Sequence, residues 1–197
     1  QDLYKKNKFV VVRQLHYSEK NENSIDMGIF INGIPVILME LKNSLTGQIH
    51  DDAIKQWRND RDSKEPLFKF KRILVYFAVG NEKISMETRL SGTNTRFLPF
   101  NRGIENPVNK NDHKTAYLWD EVLQPNSVLD LIENYVHVRR EIEKEYDAKK
   151  KKLVEKKTDV MIFPRYHQLN VVRRIRNAVI KEGVGHNYLV QHTTGSG

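Results

Sequence analysis

The sequence of 197 residues predicts an α/β fold in which helices flank a mixed central sheet. Two apolar runs meet at Asn32-Gly33, which is the strongest short-range signal for a β-hairpin. The second of these runs is followed by a stretch with helical spacing and then by the apolar run 73–79. This order of strand, helix and strand predicts a crossover connection between two parallel strands. A sheet with one antiparallel pair and one parallel pair is mixed.

The strand after Asn32-Gly33 is predicted to lie inside the sheet. Both of its alternating sets of residues are apolar, as expected of a strand that is covered on both faces. The helix that follows has Ala53, Ile54 and Trp57 at helical spacing and acidic residues in its first turn. The elements predicted for this half of the chain are strands over 9–15, on both sides of Asn32-Gly33, over 73–79 and near 83–90, a helix from Gln48 to about Arg58, and a loop over 91–114.

One long helix is predicted to open the C-terminal half. Ser127 and Asp130 have the spacing of a capping box, and apolar residues recur at helical spacing as far as Tyr146. This helix becomes strongly charged toward Lys157, so the lysine run 149–152 is expected to form a solvated face. The elements predicted after it are a short connection, a helix over 166–181 and a terminal strand over 187–192.

Composition excludes several classes of protein. The 33 Lys and Arg residues against 25 Asp and Glu give a net charge of +8, which is compatible with a nucleic-acid partner. The absence of cysteine removes disulfides, cysteine zinc sites and thiol nucleophiles, and fits a reducing, cytoplasmic compartment. No apolar run approaches the roughly 20 residues that cross a bilayer, so no membrane span is expected. The start at Gln1 and the end in a Gly-Ser-Gly run suggest a piece of a longer protein.

Two acids and a lysine form the most informative constellation. Glu40 and Lys42 lie two apart at the end of the buried strand and so share a face. A buried carboxylate must pair with another group, bind a cation or open into a cleft. Asp26 lies on the partner strand, and two carboxylates with a lysine suit metal-dependent phosphodiester hydrolysis. The acids, with the Leu41 carbonyl, would hold Mg²⁺, and Lys42 would position water or offset developing charge.

The spacing Asp-x₁₃-Glu-x-Lys on a hairpin, followed by a helix and a parallel strand, resembles the PD-(D/E)xK nuclease superfamily. The run from Asn32 to Asn43 is similar to the motor (R) subunit of type I restriction-modification enzymes. Gln56 matches the glutamine of the Gln-x-x-x-Tyr motif of such nucleases, but Asp60 stands where that motif has tyrosine. The resemblance implies a catalytic set of Asp26, Glu40, Lys42 and Gln56 and a metal set of Asp26, Glu40 and Leu41.

A second resemblance lies near the C-terminus. Arg165-Tyr166-His167-Gln168 is similar to a segment of DNA translocases whose glutamine contacts adenine. The last residues follow a predicted strand and would open a phosphate-binding loop if a lysine came next. The resemblance therefore implies the truncated start of a RecA-like motor domain, which would bind ATP in the full-length protein only. The implied nucleotide-binding residues are Arg165, Gln168, Thr193, Thr194, Gly195, Ser196 and Gly197.

The family implies three regions: a nuclease domain over 1–117, a connecting helical segment over 118–157 and the start of a translocase domain over 158–197. It also implies a Mg²⁺-dependent endonuclease, a type I site-specific deoxyribonuclease, that acts on double-stranded DNA with modification and specificity subunits. Two other functions stay open. One is a PD-(D/E)xK nuclease without a motor, of the junction resolvase or repair type. The other is a non-catalytic DNA-binding or coupling module with structural acids.

The proposed chemistry constrains the register of the hairpin. An unbulged two-residue turn at Asn32-Gly33 would place Asp26 opposite Met39, on the other face from Glu40. We therefore predict a three-residue loop that includes Ile31, or an equivalent one-residue bulge nearer Asp26.

Overall fold

The computed structural model describes residues 2–147 and 152–192. No helix among these residues is long and apolar enough to cross a membrane. The helices are α1 (Asp2–Lys5), α2 (His50–Asn59), α3 (Pro125–Asn134) and α4 (Tyr166–Glu182). The strands are β1 (Phe9–His16), β2 (Ser24–Ile31), β3 (Ile34–Leu41), β4 (Val75–Val79), β5 (Ile84–Glu87), β6 (Leu98–Pro99), β7 (His137–Asp147) and β8 (Lys152–Ile162).

The first six strands form one sheet in the order β1-β2-β3-β4-β5-β6. Strands β3 and β4 pair in parallel, with Ile37 opposite Val75, and every other neighbouring pair of this sheet is antiparallel. The predicted mixed sheet and the crossover through α2 are therefore confirmed. The start of a motor domain and the boundaries near residues 117 and 157 stay predictions.

The sheet separates two hydrophobic cores. On one face α2 packs over β3 and β4, and the Trp57 indole N–H donates to the Phe77 carbonyl at 3.0 Å. The other face is covered by a helical turn at 118–122, by α3 and by the start of α4, where Leu169 is buried. Strand β4 is buried at every position, which explains its uninterrupted apolar sequence.

The hairpin turn differs from its predicted three-residue loop. Asn32 (φ 52°) and Gly33 (φ 83°) both have positive φ, as a two-residue type I′ turn requires, and Ile31 pairs with Ile34. A one-residue shift then occurs, because Phe30 pairs with Pro35 but Ile29 pairs with Ile37. The alternative form of the prediction, a one-residue bulge between the turn and Asp26, is confirmed. Proline has no N–H for the ladder, which favours a bulge at this point.

The predicted long helix over 127–157 is wrong. Helix α3 ends at Asn134, and the described residues from His137 onward in this segment belong to the antiparallel strands β7 and β8. The four-residue spacing of Val138, Ile142 and Tyr146 fits a strand as well as a helix, since four is a multiple of the strand period of two. Opposite charges face each other between these two strands, with Glu143 opposite Lys156 and Lys144 opposite Glu155. This pairing joins residues distant in sequence.

The predicted capping box at Ser127 is also wrong. Helix α3 begins at Pro125, and the Ser127 hydroxyl donates to the Val122 carbonyl at 2.8 Å inside the first turn. Proline is common at this first position because the N–H that it lacks would have no partner there.

Two further predictions concern the residues before β8 and those after α4. Helix α4 ends before Gly183 as expected. The predicted terminal strand over 187–192 is wrong, because these described residues form no strand. Lys149, Lys150 and Lys151 lie outside the described residues, and Lys152 begins β8.

Candidate active site

Asp26 and Glu40 meet at the centre of the sheet because of the bulge. Met27 pairs with Met39, so the same register continued by one residue sets Asp26 beside Glu40. The Leu41 N–H donates to Asp26 Oδ2 at 2.8 Å, and the Gln14 amide donates to Asp26 Oδ1 at 3.2 Å. The Asp26 carboxylate is thus oriented by both neighbouring strands.

Glu40 is a fully buried acid with a buried cation as its partner. Its side chain is 0% exposed and that of Arg61 is 4% exposed. Arg61 Nε and Nη2 each lie 2.7 Å from the same carboxylate oxygen, Oε1. The pair therefore meets the condition that a charge buried in a protein interior must be matched by an opposite charge.

Arg61 is a site residue that the sequence analysis missed. Its Nη2 also donates to the Ser24 carbonyl on β2 at 2.7 Å, and its guanidinium lies 5.8 Å from the centre of the Tyr17 ring. These contacts fix the guanidinium against β2 as well as against Glu40. The sequence contains no signal that separates Arg61 from the other cations near α2, Lys55 and Arg58, because only the end of α2 decides which one turns inward.

Burial raises the pKa of Glu40 from 4.5 to about 8. Attraction to Arg61 opposes this shift, and the nearby Asp26 carboxylate adds to it because a second negative charge disfavours ionisation. Glu40 therefore favours its protonated form near neutral pH until a further positive charge arrives.

This shift predicts a pH-dependent stability. Between about pH 4.5 and pH 8 the unfolded chain ionises Glu40 while the folded chain keeps the proton. The free energy of unfolding should then fall as pH rises through this window, relative to the Glu40→Gln variant, by at most about 1.4 kcal/mol per pH unit. Urea unfolding of both proteins with chelator across this window measures the difference, and parallel curves would contradict the shift.

Two buried side-chain oxygens, one on β3 and one on α2, have no hydrogen-bond partner among the described residues. They are Glu40 Oε2 and Gln56 Oε1. When Glu40 is ionised, its Oε2 is a buried acceptor without a donor, which costs free energy, and a hard cation is a natural partner for such oxygen ligands. The orphaned Oε2 beside Asp26 therefore fits Mg²⁺, with the Leu41 carbonyl as a third oxygen. The described chain holds no cluster of three or more His, Cys, Asp or Glu side chains suited to a metal.

Lys42 and Gln56 share a cavity of about 300 Å³ at the end of β3. The Lys42 N–H donates to the Val79 carbonyl at 2.8 Å, which extends the parallel pairing past the end of β3. Asp60, in the place of the motif tyrosine, ends α2 through a hydrogen bond from its N–H to the Gln56 carbonyl at 3.0 Å. The cavity is lined by Lys42, Gln48, Asp52, Lys55, Gln56, Asn59 and Asp60.

The predicted nucleotide-binding residues are separate from these acids. Arg165 precedes α4, and its N–H donates to Gln168 Oε1 at 3.0 Å, so the Gln168 side chain caps its own helix. This end of α4 packs on the sheet face opposite α2. Thr193, Thr194, Gly195, Ser196 and Gly197 lie outside the described residues.

The N-terminal part of the chain matches one protein family. Residues 2–95 match the family described as "Type I restriction enzyme R protein N terminus". This match includes Asp26, Glu40, Lys42, Gln56 and Arg61, and it ends before α3.

Curated relatives include two proteins of Methanocaldococcus jannaschii. The chain is 28% identical over 200 residues to a putative type I restriction enzyme MjaVIIIP endonuclease subunit, and 25% identical over 212 residues to a putative MjaVIIP endonuclease subunit. Each match covers 98% of this chain but 17% of the relative. The type I restriction enzyme HindI endonuclease subunit of Haemophilus influenzae is 29% identical over 143 residues, which cover 68% of this chain and 13% of that protein. The chain thus spans about one sixth of the M. jannaschii relatives' length.

Proposed function

We propose that this chain, whose residues 2–95 match the family of type I restriction enzyme R protein N termini, supplies the DNA-cleaving region of such a subunit. The reaction is the hydrolysis of a phosphodiester bond in double-stranded DNA with the help of Mg²⁺. The observation that carries this proposal is the buried Glu40 carboxylate, with one oxygen on Arg61 and the other unpartnered beside Asp26.

The two acids and Arg61 have distinct roles in this mechanism. When bound, Mg²⁺ supplies Lewis acidity and lowers the pKa of a water molecule that it holds. Asp26 and Glu40 would hold the ion through carboxylate oxygens, and the Leu41 carbonyl would complete the protein ligands. Arg61 holds Glu40 Oε1, so that Oε2 keeps one direction. Because Arg61 acts on the metal site through its contact with Glu40, and its other contacts are the Ser24 carbonyl and the Tyr17 ring, it is a positioning residue.

Lys42 and Gln56 act from the neighbouring cavity. Lys42 has no carboxylate within 4.0 Å in the described part of the chain, so its ammonium is available to the substrate. It would orient the attacking water or offset charge on the phosphorus in the transition state. Gln56 offers its buried Oε1 to the same water.

The rest of the activity would belong to the longer subunit. Since the chain spans about one sixth of two curated relatives, an ATP-driven motor would lie mostly outside these 197 residues. We propose that the full-length protein binds ATP, starting near Arg165 and Gln168, and works with modification and specificity subunits on DNA.

One observation favours a non-catalytic alternative. The pair of Glu40 with Arg61 resembles a structural ion pair that only joins the end of α2 to the sheet. In that case the acids need no metal, and the chain would be a DNA-binding or coupling module.

Metal binding separates the two functions. We expect the chain to bind Mn²⁺, used as a paramagnetic substitute for Mg²⁺, with at least about tenfold loss of affinity in Asp26→Asn and in Glu40→Gln. Enhancement of water proton relaxation measures bound Mn²⁺ directly. The matched control is Asp51→Asn, since Asp51 is an exposed acid in the first turn of α2. Equal Mn²⁺ affinity in all four proteins would support the structural alternative.

A further inference from the structure

A second cavity, of about 680 Å³, lies beside the segment that follows α2. Its lining contains four cations and no acidic residue. The cations come from two parts of the chain, the segment 64–72 and the residues that follow β5. We call this cavity the basic groove. It is lined by Ser63, Lys64, Pro66, Phe68, Lys69, Phe70, Arg72, Arg89, Leu90 and Ser91.

The four cations of the basic groove have no ion-pair partner in the described part of the chain. They are Lys64, Lys69, Arg72 and Arg89, and all four are exposed. By contrast, the neighbouring Lys71 pairs with Asp159 at 2.7 Å. Four like charges along one groove repel each other, so the arrangement favours an anionic ligand that spans several of them.

Arg89 is held in place without a carboxylate. Its guanidinium lies 4.9 Å from the centre of the Phe70 ring. A contact of this kind with an aromatic face leaves the N–H donors in the plane of the guanidinium unused. Arg89 is therefore oriented and still able to bind phosphate oxygens with paired hydrogen bonds.

The basic groove is anchored to the layer that carries the acid site. Phe68 packs against Trp57 of α2, with ring centres 6.1 Å apart. Glu65 is buried and accepts a hydrogen bond from the Ser18 hydroxyl at 2.9 Å. Lys64 follows Arg61 by three residues, a span of at most about 11 Å. One end of the groove, at Lys64, thus lies close to the partner of Glu40 along the chain.

We propose that the basic groove binds the phosphate backbone of duplex DNA beside the cleavage site. This inference rests on the proposed function for its ligand, and on the unpaired cations and the position of the groove for its location. A duplex presents one negative charge per about 1.7 Å of its axis, so it can occupy several of these cations at once. The contacts are with phosphates, so they position the DNA without reading its sequence.

The test is the salt dependence of DNA binding by the chain, with chelator present so that no cleavage occurs. The double variant Lys69→Ala, Arg89→Ala should bind a fluorescently labelled duplex more weakly. Its slope of log affinity against log salt should be smaller in magnitude by about two, since each phosphate contact contributes about 0.9. Fluorescence anisotropy between about 50 and 200 mM salt gives this slope.

The matched control is Lys83→Ala, Lys110→Ala, which removes the same charge from exposed lysines outside the groove. An equal slope change in both double variants would overturn the proposal, because net charge alone would then explain binding. If the Lys69→Ala, Arg89→Ala variant lost binding to polyglutamate but bound DNA as the wild type does, the proposal would also be overturned, in favour of an acidic protein partner. The salt slopes of the groove variants do not depend on the acids. If Glu40→Gln cleaved DNA as the wild type does, the proposed nuclease function would fail, but the measured slopes would still decide whether the groove binds DNA.

Discussion

Asp26→Asn, Glu40→Gln and Lys42→Ala are each expected to lower DNA cleavage by the complete restriction complex by at least about 100-fold. ATP hydrolysis stimulated by DNA should continue in all three, because the motor site would lie elsewhere in the subunit. The physical reason is that the two carboxylates would hold the ion that activates water, and Lys42 would act on the same phosphate. Conversion of supercoiled plasmid to linear DNA measures cleavage, and phosphate release measures ATP hydrolysis.

Lys55→Ala is the matched control for these variants. Lys55 lines the same cavity as Lys42, but its ammonium is 3.0 Å from Asp52 and mostly exposed. We expect this variant to cleave DNA as the wild type does. Wild-type cleavage by one of the three site variants would remove that residue from the mechanism, and loss of ATP hydrolysis together with cleavage would indicate a misfolded subunit instead.

Above pH 8, where Glu40 is ionised, Arg61→Met is expected to lower the free energy of unfolding by about 3 to 5 kcal/mol. The substitution removes the two donors that lie 2.7 Å from Glu40 Oε1 and leaves a buried carboxylate without a cation. The loss should be largest at high pH, where Glu40 must ionise, and smaller where Glu40 can stay protonated. Urea unfolding at two pH values on either side of pH 8 measures both effects.

A double variant distinguishes the buried charge from lost packing. Arg61→Met combined with Glu40→Leu should recover most of the stability, since an apolar pair can replace a buried ion pair at little cost. Lys114→Met is the surface control, because Lys114 pairs with a Glu82 side chain that is 67% exposed. The free energy of unfolding of this control should fall by less than about 1 kcal/mol. If the single variant lost as little as this control, or the double variant recovered nothing, the buried pair would not have the role assigned to it.

The sequence by itself determined the elements whose signals are local. Asn32-Gly33 needs positive φ at both positions of a tight turn, and both residues have it. The strand after the turn is apolar on both faces, which indicates a central position, and β3 occupies one. Glu40 at the end of that strand and Asp26 on its partner strand were predicted as site residues from the same pattern, because a charge in an apolar strand has a cost that something must offset.

Only the tertiary structure decided what depends on pairing between distant residues. The bulge between the turn and Asp26 places Asp26 on the same face of the sheet as Glu40. Its position follows from the register in which β2 and β3 pair along their whole length. Arg61 becomes the partner of Glu40 because the packing of α2 on the sheet aims the end of that helix at β2 and β3. Strands β7 and β8 stand where the sequence predicted a helix, because the four-residue spacing of Val138, Ile142 and Tyr146 fits both structures. The pairs of opposite charge between the two strands stabilise the strand form, and they cannot be found from the spacing within either strand alone.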